Sequence, residues 1–121
     1  MSESYNETLP AFDGLNEASK KKIDKVVKKV LDVLDKREDL KEQFKNDFRE
    51  MYLGALSNPI LLDKLLDGIE LRMIEALKKI QKEYADGKID GILATLQSKE
   101  TIKKYTTEEL KVLKDSLKPR S

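Results

Sequence analysis

Apolar residues recur at steps of three and four over most of the chain, a spacing typical of amphipathic helices. The first predicted helix begins near Asn16 and ends near Lys36. Its apolar face consists of Ile23, Val26, Val27, Val30, Val33 and Leu34. A second helix follows, with Asp39 as its N-cap, because a carboxylate can accept hydrogen bonds from the backbone N–H groups of the next turn. We expect this second helix to end at Ser57.

The third predicted helix is the longest element. Asn58 suits the N-cap position and Pro59 suits the first helical position, where a missing N–H costs nothing. The pattern continues to Ala85, a length of about 40 Å. Its main apolar stripe consists of Leu62, Leu66, Ile69, Met73, Leu77, Ile80 and Tyr84. Further leucines and an isoleucine lie off this stripe, so we expect neighbouring helices to cover it on more than one side.

Two shorter helices complete the predicted order. Asp86-Gly87 is a helix stop signal. Beyond it, Ile89, Ile92, Leu93 and Leu96 predict a short helix with these four residues facing inward. Thr106 and Glu109 have the spacing of a capping box and predict the beginning of a last helix. This last helix would turn Leu110, Leu113 and Leu117 inward.

These elements predict an all-α fold: a compact bundle of about five helices around a long central third helix. Residues 16–121 would form this single domain. Residues 1–15 lack an apolar period and contain acidic residues but no basic one, so we expect a flexible, disordered acidic tail there.

Composition narrows the chemistry. The chain contains no histidine and no cysteine, which excludes the common catalytic triads, thiolate chemistry and ordinary zinc sites. Its five glycines are too widely spaced for a phosphate-binding loop. We therefore expect a protein that is not an enzyme, with no cofactor, no metal ion and no evident small-molecule substrate.

The sequence also suggests a cellular location and a thermophilic pattern of residue usage. Apolar runs reach only three residues, as at Ile60 to Leu62, far short of the roughly 20 that span a bilayer. We expect a cytoplasmic protein without a membrane segment. Scarce Gln and Asn beside abundant Lys and Glu resemble the residue usage of thermophilic proteins.

The segment Asp86 to Asp90 resembles the second half of an EF-hand calcium loop. If Gly87 takes the sixth position, however, Lys82, Tyr84 and Leu93 fall where the loop needs oxygen ligands. The segment is therefore interpreted as a helix stop followed by a turn.

Lysines cluster in two places although the net charge is only +1. Both clusters could contact nucleic-acid phosphates. The candidate contacts are Lys21, Lys22, Lys25, Lys28, Lys29, Lys99, Lys103 and Lys104. The alternative is that these lysines are solvated on outer helix faces. A helix-turn-helix-like unit over residues 89–117 is a further alternative.

The second helix holds most of the aromatic mass of the chain on one face. Phe44, Phe48, Met51 and Tyr52 either pack in the core or anchor a partner, since aromatic residues and Met are enriched in interfaces. Gly68 could let another helix approach the third helix closely. The candidate protein interface is Phe44, Phe48, Met51, Tyr52, Leu61, Leu65 and Gly68.

Three functional hypotheses follow. The first is a non-catalytic helical protein-interaction module, an accessory or regulatory subunit that binds a protein partner or associates with itself into an oligomer. The second is a nucleic-acid-associated protein that uses the two lysine clusters. The third is a helical structural protein of a virion or filament.

Overall fold

The computed structural model describes residues 9–117, and these residues form helices and short connections without any strand. Four continuous helices make up this described part of the chain. They are α1 (Glu17–Leu34), α2 (Glu38–Ala55), α3 (residues 59–85) and α4 (residues 91–117). The all-α prediction is confirmed for the described residues.

Both α3 and α4 contain one π-helical turn. In α3 the turn Ile69–Met73 joins the α-helical parts Pro59–Gly68 and Ile74–Ala85. In α4 the turn Lys104–Glu108 joins Gly91–Lys103 and Glu109–Leu117. Residues 9–117 therefore contain four continuous helices where the sequence pattern predicted about five.

The predicted break before the last helix does not exist. Thr106 is fully buried inside α4, and its hydroxyl donates a 2.7 Å hydrogen bond to the backbone oxygen of Ile102. A threonine hydroxyl can cap a helix or bond back to the preceding turn. Here it bonds back, so Thr106 and Glu109 form no capping box. Leu110 and Leu113 are half-buried against the core, whereas the side chain of Leu117 lies outside the described residues.

An Asn or Asp residue caps the N-terminus of three of the helices in the described part of the chain. Asn16 accepts a hydrogen bond from the backbone N–H of Ser19, and Asn58 accepts one from that of Leu61. At the second helix the predicted N-cap is wrong by two positions, because Arg37 is the N-cap, α2 begins at Glu38 and Asp39 lies inside its first turn. There Asp39 pairs with Arg37 at 2.9 Å instead of capping. The third capping residue is Asp90 at the beginning of α4.

The segment before α1 packs on the core. Leu9 and Phe12 are buried, and residues Phe12–Gly14 form a 3₁₀ turn. The Tyr52 hydroxyl donates a 2.7 Å hydrogen bond to the backbone oxygen of Pro10. The predicted flexible tail is therefore wrong for residues 9–15, and its first eight residues lie outside the described part of the chain.

Each helix of the inner pair, α2 and α3, contacts all three other helices. The prediction of a single central third helix is thus only partly right. Helices α1 and α4 each pack on α2 and α3. The two π-helical turns also contact each other.

Some neighbouring helices run in the same direction. Lys22 of α1 pairs with Asp63 of α3, and further along both helices Val33 accepts a hydrogen bond from Gln81. Residue numbers increase along both helices from the first contact to the second. Helices α1 and α3 therefore run parallel to each other. The short connections make only the sequential helices antiparallel.

One glycine in α2 permits a close helix approach. A Cβ atom added at Gly54 would lie 2.5 Å from Cδ2 of Leu110 in α4. A Cβ at Gly68, the glycine that the sequence singled out, would meet no atom within 4 Å. The prediction that Gly68 admits a neighbouring helix is wrong, and Gly54 has that role.

Gly68→Ala is expected to raise the free energy of unfolding by about 0.5–1 kcal/mol, because alanine loses less backbone entropy in a helix and has room here. Gly54→Ala is the matched control, since the same gain is offset by displacement of Leu110. Urea unfolding followed by circular dichroism measures both. An equal gain for the two variants would contradict the close approach at Gly54.

Candidate functional site

The predicted aromatic interface belongs to the core. The side chains of Phe44, Phe48, Met51 and Tyr52 have no exposed surface, and the rings of Phe44 and Phe48 pack with centroids 5.4 Å apart. The other predicted members, Leu61, Leu65 and Gly68, are also buried. These seven residues are therefore corrected to core residues, because four helices enclose them and leave no surface for a partner.

Three of the α1 lysines are bound within the fold. Lys22 lies 2.6 Å from Asp63 and 2.6 Å from Asp67 of α3. Lys25 and Lys29 both contact Glu70, at 3.3 Å and 2.8 Å. Among the α1 lysines that were candidates for contacts with nucleic acid, Lys21 and Lys28 remain on the exposed side of the helix. Much of the positive charge of α1 is thus balanced by α3.

These ion pairs shift the pKa of Glu70 and that of Lys22. The hydrogen bond from Lys29 holds the pKa of Glu70 below its ordinary value; burial opposes this, and Lys25 reinforces it. Partial burial acts to lower the pKa of Lys22, but hydrogen bonds and attraction from Asp63 and Asp67 outweigh it and raise the pKa. The charged forms of Glu70 and Lys22 are therefore favoured by folding.

An open groove of about 790 Å³ lies between α1 and α3. Its lining is largely charged and includes Lys25, Lys29 and Glu70, which already pair with one another. The exposed Leu71 forms part of its rim. The groove therefore offers few charged groups that are not already engaged.

The second lysine cluster stays exposed on α4. Lys99, Lys103 and Lys104 are exposed, and the ammonium of Lys104 lies 5.3 Å from the centre of the Tyr105 ring. Because α1 and α4 pack mainly on α2 and α3, the fold does not merge the two clusters into one stripe. The helix-turn-helix alternative is wrong, because residues 91–117 form one continuous helix without a turn.

The segment that resembles a calcium loop is a helix stop. Gly87 has a φ of 76°, and the N–H of Lys88 donates to the backbone oxygen of Glu83 at 2.8 Å. Asp90 accepts a 2.7 Å hydrogen bond from the backbone N–H of Leu93 and so caps α4. Over residues 9–117, no group of three or more acidic side chains is placed to hold a metal ion.

The first half of α4 has its large apolar residues on the outside. Its buried positions are Ala94, Ser98 and Ile102, which repeat every four residues. On the opposite side, Ile92 is 77%, Leu93 41% and Leu96 52% exposed. The prediction that these three residues face inward is wrong, whereas Ile89 is half-buried. We call Ile92, Leu93 and Leu96 the α4 patch.

Polar contacts fix this orientation of α4. Arg37 donates a 2.9 Å hydrogen bond to the hydroxyl of Thr95, and Gln43 donates one of the same length to the backbone oxygen of Lys99. On another side of the helix, the ring of Tyr84 lies against Gly91. Small inner side chains let α4 approach its neighbours closely, and the α4 patch is left facing away from them.

The α4 patch exposes roughly 300 Å² of apolar surface, and the largest apolar patch on a monomer is often functional at about that size. The sequence pattern identified Ile92, Leu93 and Leu96 as the large apolar residues of this helix, but not the direction in which they face. The signal for their orientation was the small-residue series Ala94 and Ser98 in phase with Ile102, which could have indicated the buried face.

The α1–α3 ion pairs predict a pH dependence. A carboxyl group whose pKa is lowered by folding stabilises the native state when ionised, and this contribution is lost as pH falls through the folded pKa. Glu70→Gln is therefore expected to be less stable than the unmodified chain at pH 7, with the difference closing below about pH 4.

Chemical unfolding at a series of pH values measures this difference. Glu75→Gln is the matched control, because it removes only an exposed pair with Lys78 and is expected to change stability by less than about 0.5 kcal/mol. A Glu70→Gln deficit that stays constant down to pH 3 would refute the charge-based contribution.

No helix among the described residues has the combination of length and apolarity needed to cross a membrane. No protein-family model, curated protein or solved structure matches this chain.

Proposed function

We propose that this chain is a non-catalytic helical interaction module that binds a protein partner through the α4 patch. The observation that carries the proposal is the reversed polarity of α4, where Ala94 and Ser98 face the core while Ile92 and Leu96 face outward. Exposing large side chains forgoes the stabilisation of about 1.5–3 kcal/mol that burying each one would give. A partner that covers them recovers this energy.

The surroundings of the patch suit a protein interface. Lys99 and Glu100 are exposed directly beyond Leu96, and Asp90 is exposed at the beginning of the helix. An apolar centre with a charged rim is the usual organisation of protein interfaces. The patch also lies on a helix, so its side chains hold fixed relative positions without a loop having to become ordered.

The nucleic-acid hypothesis has less support. Lys22, Lys25 and Lys29 would have to give up their contacts with α3 before they could bind phosphates. The exposed group at Lys99 and Lys103 lies beside Glu100. For the structural-protein hypothesis, no contact within the described residues adds a specific argument.

A photocrosslinking amino acid in place of Leu96 is expected to capture a protein in extracts of the source cells. The same substitution at Leu71 is the matched control, because Leu71 is 64% exposed on the side of α3 that faces the groove. Mass spectrometry of the adducts measures the outcome. Equal capture at both positions, or none at position 96, would refute the proposed role of the patch.

The double variant Ile92→Glu/Leu96→Glu is expected to compete poorly for the captured partner. Both residues are exposed, so the free energy of unfolding is expected to stay within about 0.5 kcal/mol of the unmodified value. A competition experiment with purified chains, paired with urea unfolding, separates loss of binding from loss of folding. Full competition by the folded double variant would count against the proposal.

A further inference from the structure

We infer that residues 9–15, which we call the strap, open and close as a unit while helices α1 to α4 stay folded, and that the hydroxyl of Tyr52 holds the strap closed. This conformational device does not depend on the α4 patch. Tyr52 lies close in sequence to Gly54, which meets Leu110 in the second half of α4. The α4 patch is in the first half, so the two features lie at different levels of the bundle.

A tight turn forms the first half of the strap. The backbone N–H of Phe12 donates to the backbone oxygen of Leu9 at 3.2 Å, and Ala11 has φ 61° and ψ 16°. Pro10 precedes Ala11, and the ring of a proline fixes its φ at about −65°. A proline followed by a residue of positive φ is the signature of a type II β-turn, whose third position normally takes glycine. The first and last residues of this turn, Leu9 and Phe12, are buried in the core.

Ala11 destabilises the closed strap. At positive φ its Cβ atom crowds the backbone, a cost that glycine does not have. Its side chain is exposed, so no contact in the closed strap compensates for this strain. An extended strap relieves the strain. The closed strap is therefore less stable with alanine at this position than it would be with glycine.

Few interactions hold the strap on the helices. Its own backbone hydrogen bonds stay inside the strap. Among the hydrogen bonds of residues 9–117, the one that joins the strap to a helix is the 2.7 Å bond from the Tyr52 hydroxyl to the backbone oxygen of Pro10. The apolar anchors are the buried Leu9 and Phe12 and the half-buried Leu15. Opening therefore breaks a small set of contacts compared with unfolding a helix.

Helix α1 does not need the strap in order to stay folded. The side chain of Asn16 caps α1 by accepting a 2.8 Å hydrogen bond from the backbone N–H of Ser19. Further along α1, Lys22 and Lys29 bind acidic residues of α3. All these contacts lie beyond the strap, so α1 keeps its cap and its ion pairs when the strap leaves. Opening is therefore local.

Opening changes what the core presents at Tyr52. In the closed state the side chain of Tyr52 has no exposed surface. When Leu9 and Phe12 leave, the volume that they fill becomes an apolar cleft. The Tyr52 hydroxyl, no longer paired with Pro10, is then a free hydrogen-bond donor beside this cleft. The strap thus controls access to this part of the core.

Limited proteolysis of the full chain with chymotrypsin tests the strap. This protease cuts after aromatic residues and needs an extended segment, so it cuts the strap only when the strap is open. Of the three phenylalanines in the chain, Phe12 lies in the strap, whereas Phe44 and Phe48 lie in the core on α2. At low protease concentration, the cleavage rates follow the populations of the open forms.

Cleavage after Phe12 is expected to be faster than cleavage after Phe44 by roughly tenfold or more. Mass spectrometry of the first fragments measures both rates, each divided by the rate for a synthetic peptide of the same local sequence. Equal normalised rates would show that the strap opens only when the whole chain unfolds, and this would overturn the inference.

Tyr52→Phe tests the hydrogen bond that closes the strap. The substitution keeps the ring and removes the hydroxyl, so cleavage after Phe12 should rise by about threefold to tenfold. Tyr84→Phe is the matched control, because Tyr84 is exposed near the end of α3 and should leave this rate unchanged. Circular dichroism checks that both variants are folded. An unchanged rate in the folded Tyr52→Phe chain would overturn the role of this hydroxyl.

Ala11→Gly is the opposite test and changes no core residue. Glycine removes the strain of the turn, so cleavage after Phe12 should slow by about threefold. The rate is again divided by that of a peptide with the same substitution, because residue 11 also contacts the protease. An unchanged or faster normalised rate would overturn the strain at Ala11 as a force that opens the strap.

Discussion

Helix α4 packs closely on α2 and α3 because its inner face has the small side chains Ala94 and Ser98. Only one side of α4 can face the core. With Ala94 and Ser98 on that side, Ile92 and Leu96 lie on the solvent-exposed side. Polar contacts from Arg37 and Gln43 to the flank of α4 hold that rotation. The inner side of α4 thus completes the core against α2 and α3, and the α4 patch is left exposed to solvent.

Charged side chains of α1 and α3 pair with each other within the fold. A cluster of lysines on one helix suggests an anion-binding surface when only the sequence is known. In the folded chain, Lys22 and Lys29 contact acidic residues of the parallel helix α3. The local positive charge of α1 is therefore balanced by acidic residues of α3. These partners are 41 residues apart in the sequence, so a local sequence pattern does not reveal the pairing.

Local signals were the most predictable part of this structure. Asn58-Pro59 begins α3 and Gly87 ends it, because cap geometry depends on a few adjacent residues. Thr106 misled the prediction, since its hydroxyl can serve a cap or the preceding turn with similar ease. The burial of Phe44 in the core agrees with one of the two sequence alternatives. The outward face of α4 depended on contacts with distant helices, which hydrophobic spacing alone does not contain.

The π-helical turn at Lys104–Glu108 has a geometric effect on the whole of α4. The inner residues of this helix repeat every four positions, whereas an α-helix has 3.6 residues per turn, so the inner line drifts by about 40° at each step. A π turn contains more residues than an α turn and cancels part of that drift. Leu110 therefore returns to the side that meets Gly54. Because the π-helical turn offsets this rotation, the continuous helix α4 keeps its inner residues aligned against the neighbouring helices along its whole length.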